Sequence, residues 1–204
     1  MTNNKNMNVY QFKITLDGIE PKIWRRIQIP EKYSFWDLHV AIQDAMGWTD
    51  SHLHQFVMVD PKLGEKSHIG IPDENEVDYL MPNPSAGWEK FIRNYFFQKG
   101  FDKCEYEYDF GDGWLHKIKL EKIVPAIPGC KYPICLDGAR ACPPEDCGGI
   151  GGYENFLAII KAPQHEEHES MLTWVGGNFD PERFDPQKIH FEDPKERWKI
   201  AFEF

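Results

Sequence analysis

The sequence predicts an α+β fold in a single domain, on three observations. Alternating apolar segments fill residues 8–124, a Cys/Pro/Gly-rich stretch without periodicity follows at 125–152, and helical spacing takes over at 153–204. A length of 204 residues fits one domain. With 41% apolar residues and seven tryptophans, the chain has the bulk for a core that a disordered or collagen-like chain lacks.

Val9 to Leu16 and Ile23 to Ile29 read as strands, the second alternating Ile23, Arg25, Ile27 and Ile29 against Trp24, Arg26 and Gln28. Asp17, Gly18 and Pro21 punctuate them. Ser34 then precedes Phe35, Leu38, Ile42, Ala45 and Met46, apolar at helical spacing, with Asp37 in the first turn and Gly47 as the stop. Leu53 to Val59 reads as a strand buried on both faces, which makes the order β-β-α-β. Residues 60–87, with prolines at 61, 72, 82 and 84, read as a long irregular connection. Trp88 to Phe97 has the spacing of a short helix. Cys104 to Phe110 and Trp114 to Val124 form a hairpin about Gly111-Asp112-Gly113. Helices are expected at Tyr153–Lys161, His165–Val175 and within Lys195–Phe202.

With 33 acidic against 23 basic residues, a net charge of -10 disfavours nonspecific binding to nucleic acid. The one basic spot is Lys22-Ile23-Trp24-Arg25-Arg26 with Lys13. There Arg25 reads as a solvated strand residue and Arg26 as the partner of an acid. No apolar run reaches the roughly 18 residues of a membrane helix. The polar start, Met1 to Asn6, lacks the order of a signal peptide. A cytoplasmic protein with reduced thiols is therefore expected, and there a cysteine cluster points to metal or reactivity sooner than to disulfides.

Cys130, Cys135, Cys142 and Cys147 are separated by four, six and four residues. Zinc takes four soft or imidazole ligands, and an irregular loop gains order by closing on one. The spacing is looser than that of a zinc finger, and the same cysteines suit the role of small buried hydrophobes. No Cys-x-x-Cys supports a redox pair. If three sulfurs bind, an imidazole completes the set. His52 and His54, two apart, share a strand face, and His116 lies on the face of Ile118 and Leu120. Other motifs are lookalikes. Asp109-Phe110-Gly111 lacks every other kinase signature, His165 and His168 stand three apart and not four, and Gly148 to Gly152 lacks the Lys-Ser/Thr of a P-loop.

Taken together, Ile23-Trp24-Arg25-Arg26, Leu38-His39, Met46-Gly47-Trp48, Asp50 to Phe56, Tyr108 to Trp114 with His116, and Cys135 to Gly149 resemble the plasmid pRiA4b ORF-3-like family, from about Tyr10 to Asp185. The resemblance implies an α+β domain with a mixed sheet and a link to plasmids and an insertion element. It implies site residues at Cys135, Cys142, Cys147, His52, His54 and His116. Cys104 and Cys130 fall outside its pattern, which favours three sulfurs plus an imidazole. The leading expectation is a cytoplasmic binding or interaction module whose cysteine loop could hold zinc structurally. A metal-dependent hydrolase, with an exposed pocket joining residues 50–54, 109–116 and the cysteine loop, is the alternative. Accessory nucleic-acid binding is the third reading.

Overall fold

The computed structural model describes residues 7–73 and 83–203. The polar start at residues 1–6 and part of the proline-rich connection, residues 74–82, lie outside them. The strands are β1 (Asn8–Leu16), β2 (Trp24–Pro30), β3 (His54–Val59), β4 (Lys66–Gly70), β5 (Ser85–Ala86), β6 (Lys103–Tyr108), β7 (Trp114–Pro125) and β8 (Ile134–Ala139). They form one eight-stranded sheet in the order β5-β4-β3-β6-β7-β1-β2-β8. Its pairs are antiparallel except β4 with β5, so the sheet is mixed and the fold is α+β.

Alternation along β1 puts Tyr10, Phe12, Ile14 and Leu16 on the core face. On the other face Arg26 pairs with Glu121, and Lys13 lies 4.6 Å from the Trp24 ring centroid. Helix α1 (Phe35–Met46) starts where expected. Ser34 caps it, its hydroxyl accepting from the Asp37 N–H while the Asp37 carboxylate accepts from the Ser34 N–H. Gly47 ends it in the left-handed conformation, at φ 90°. The helix is buried nearly all round because it lies between the sheet and the last helix, α4 (Pro194–Phe202). Trp198 and Phe202 of α4 pack at 5.4 and 5.3 Å from Trp36.

Six expectations need correction. Strand β3 is buried on one face only: His54, Phe56 and Met58 point inward, while Val59 is 43% exposed and Leu53, just ahead of the strand, 55% exposed. The proline-rich connection carries β4 and β5 at its two ends, since Ile69 fits the core beside Phe56. The cysteine stretch carries β8, which extends the sheet beyond β2. Gly149 to Gly152 form the first turn of α2 (Gly149–Ile160), where Tyr153 and Phe156 drive packing onto the core and override the glycines' poor helix propensity. Helix α3 (His168–Trp174) then starts later than its spacing suggests, and residues 94–98 form a short helical turn.

Candidate functional site

The segments that stand out in the sequence meet at one rim of the sheet, where α1 ends, β3 begins and the β6–β7 hairpin turns. The cysteine loop is fastened across it. Trp48 Nε1 donates to the Pro143 carbonyl at 2.9 Å. Tyr108 Oη and the Thr49 hydroxyl donate to the two oxygens of Glu145, which also accepts from the Thr49 N–H at 3.0 Å. Gly148 N donates to Asp112 Oδ2 at 3.1 Å. Gly149 has no room for a side chain, because a Cβ there would stand 2.6 Å from the Asp112 carbonyl.

Beneath the loop runs a buried polar relay. Gln43 Nε2 donates to Tyr106 Oη at 2.9 Å, and that hydroxyl lies 2.8 Å from His39 Nδ1. His39 Nε2 is 2.7 Å from Asp50 Oδ1. Burial holds the His39 pKa well below and the Tyr106 pKa well above the usual values, so each ring system carries one proton. Tyr106 therefore donates to His39 Nδ1, and His39 donates from Nε2 to Asp50. Burial pushes the Asp50 carboxyl up, against the pull of His54 and of Arg197, whose Nη1 lies 3.6 Å away. His54 stacks on His39 with ring centroids 3.4 Å apart and planes 8° apart. It is 3% exposed, and its Nδ1 has no partner. Burial, reinforced by the neighbouring imidazole, pushes its pKa well down. Both ring nitrogens of His39 are thus engaged, Nδ1 with Tyr106 and Nε2 with Asp50.

The second cluster is open. His52 Nε2 lies 3.0 Å from Asp146 Oδ1 and 3.6 Å from Asp109 Oδ2. Neither contact has hydrogen-bond geometry, so this buried nitrogen is without a hydrogen-bond partner. Asp109 Oδ1 accepts from the N–H groups of Gly111 and Asp112 at 3.0 and 3.3 Å, which turns Oδ2 towards His52. The Asp146 side chain is 71% exposed, so the cluster faces solvent. Among the described residues, four that are not glycine have positive φ, and three of them are Asp50, Asp109 and Asp146. Aspartate tolerates that conformation better than most residues, yet such strain gathers at functional sites.

The six residues expected to share a metal stand in different places. His52 belongs to the open cluster and His54 to the stack. His116 is fully buried, its Nδ1 donating towards the carbonyls of Trp114 and Tyr106 at 3.0 and 3.3 Å, and burial pushes its pKa down to about 4. Cys142 and Cys147 lie in the fastened loop with their thiols pushed up to about 12 by burial, and Cys135 lies on β8. Among the described residues these sulfurs join no group of three donors within a single ion's reach. Two groups do converge within 4.8 Å: His39, Asp50 and His54, and His52, Asp109 and Asp146. The sequence carried a signal for His39, which stands four residues after Phe35 and three before Ile42 and so shares their buried arc. It carried none that separated Asp146 from other loop acids.

The basic spot is largely neutralised. Arg26 pairs with Glu121 and Asp137, and Lys22 with Glu20. Arg25, expected in solvent, is 2% exposed. Among the described residues no helix is long and apolar enough to cross a membrane.

The comparisons with known proteins follow the same landmarks. The crystal structure of MM3350 from Methanosarcina mazei Go1, a protein of unknown function, is similar at a TM-score of 0.81 and 44% identity, over 92% of this chain and 99% of that one. An uncharacterized protein of Sinorhizobium fredii (strain NBRC 101917 / NGR234), y4hQ, is 38% identical over 171 residues, covering 84% of this chain and 82% of its own length. A family model described as plasmid pRiA4b ORF-3-like protein matches residues 8–188, which span the sheet, the relay and the open cluster. On that match, the chain belongs to the plasmid pRiA4b ORF-3-like family.

Proposed function

We propose that the protein is a metal-binding module of hydrolytic type, holding a divalent cation at the rim between His52 Nε2, Asp109 Oδ2 and Asp146 Oδ1. The observation that carries this reading is the unpartnered His52 nitrogen facing two carboxylates, with donor atoms from three separate loops within 4.8 Å. One imidazole and two carboxylates suit zinc or manganese, and three protein ligands leave positions open, as in catalytic sites. A cation so held lowers the pKa of a bound water and polarises an ester or phosphoester oxygen. The chain's own part is to aim Asp109 through its turn and to hold the loop bearing Asp146 against Trp48, Thr49 and Tyr108. Glu145 is fully engaged in that fastening and is an anchor, not a base.

Structural zinc in the cysteine loop has less support, because the loop is tied down by its own hydrogen bonds and its sulfurs join no group of three donors among the described residues. An accessory role on DNA, which the family's name invites, has less support, because the Arg26 guanidinium is paired with Glu121 and Asp137. Calorimetric titration of chelator-treated protein with Zn²⁺ and Mn²⁺ tests the proposal. One equivalent should bind, Asp109→Asn and Asp146→Asn should each weaken binding about tenfold or more, and hydrolysis of generic phosphoesters should fall with it. Equal affinity in both variants would reject the site.

A further inference from the structure

We infer that a second site, a cavity of about 330 Å³ floored by Arg25 and rimmed by Arg183 and Lys188, binds a phosphate group. Arg25 is a strand residue, 2% exposed as a whole, with no ion pair among the described residues. Its Nε donates to the Ala45 carbonyl at 2.8 Å, and its Nη1 to the carbonyls of Trp24 and Ala139 at 2.9 and 3.0 Å. Phe184 covers one face of the group at 3.9 Å. Nη2 makes no hydrogen bond among the described residues and keeps accessible surface, so its two N–H groups open to the cavity and are free to take an anion.

A buried charge without a counter-ion is costly, and proteins rarely keep one without a partner. The Cys142 and Cys135 thiols near it are pushed towards their protonated form by burial, and the neighbouring His116 is buried, so none supplies a counter-charge. Arg183 and Lys188 are exposed at the mouth and have no ion pair among the described residues. The one carboxylate in the lining, Asp185, is engaged in capping the Gln187 N–H at 3.0 Å. Three cations against one acid favour a doubly charged phosphate over a single carboxylate. On a chain of net charge -10, this is a local reversal of sign.

Titration of chelator-treated protein with inorganic phosphate, and separately with acetate, tests the inference with the rim metal out of play. Arg25→Met risks the fold, so the informative variant is Arg183→Gln with Lys188→Gln, both on exposed side chains, its fold checked by circular dichroism. Saturable phosphate binding that is weakened about tenfold or more in the double variant, with acetate much weaker, is the expected result. Absence of saturable phosphate binding, identical binding by the folded double variant, or acetate binding as tightly as phosphate would each overturn it.

Discussion

At the scale of single residues, the rim shows why polar groups are kept in a core at all. Tyr106 satisfies Gln43 and His39 together. Tyr106→Phe should leave a buried imidazole nitrogen unpaired and cost about 1–3 kcal/mol in urea denaturation; an unchanged midpoint would show the relay to be idle. The three buried histidines also set a pH response. Their folded-state pKa values lie below the unfolded value, so the unfolded chain takes up protons first. Stability is therefore fully present above about pH 6.5 and falls as the pH drops towards about 4, the value for His116. Between about pH 6.5 and 5, above the carboxylate range, unfolding free energy should decline steadily. His116→Leu should flatten the slope, and a flat wild-type profile would refute the assignment. The sequence marked His52, His54 and His116 as worth attention but could not tell an open imidazole from a stacked one or from one whose Nδ1 donates inside the core. That distinction depends on Asp146 and Tyr106, which are distant in the chain.

At the scale of elements, strong periodicity was legible and edges were not. Helix α1 has a capping box, a clean apolar arc and a glycine stop, and these are local signals. Strand β8 is six residues at the end of the sheet with an irregularity in its pairing, so nothing in its own pattern distinguishes it from loop. Its packing is nevertheless tight: a Cβ at Gly138 would stand 2.4 Å from the Phe184 ring and 2.8 Å from the Trp24 carbonyl. Gly138→Ala should cost about 1–3 kcal/mol by overpacking, measured by thermal unfolding, and a neutral result would mean that β8 is loosely held. Helix α4 lies beyond the family match yet sends Arg197 to Asp44, Glu192 and Asp50. Arg197→Met should leave Asp44 and Asp50 without their cation and cost about 3–5 kcal/mol. Hydrogen exchange should then rise in α4 and at the end of α1, and unchanged exchange would show α4 to be held by Trp198 and Phe202 alone.

At the scale of the molecule, the chain spends its most distinctive residues on one rim. Trp48, Thr49 and Tyr108 hold a loop for which the sequence offered a metal as one source of order. The cysteines that drew attention first are free and half-buried, and among the described residues they join no group of three donors with the imidazoles. The donors that do converge are oxygen and nitrogen. The fold class was legible because burial imposes its periods on the long strands and on α1; of the cluster, His52 and the junction of residues 50–54, 109–116 and the cysteine loop were legible, whereas Asp146 was not, because no spacing relates it to the other two loops. Anomalous diffraction from crystals soaked in Mn²⁺ tests that central claim most directly. A single peak bounded by His52 Nε2, Asp109 Oδ2 and Asp146 Oδ1 is the result expected. No peak at the rim, or in Zn²⁺-soaked crystals a peak on the sulfurs of Cys135, Cys142 and Cys147 instead, would contradict it.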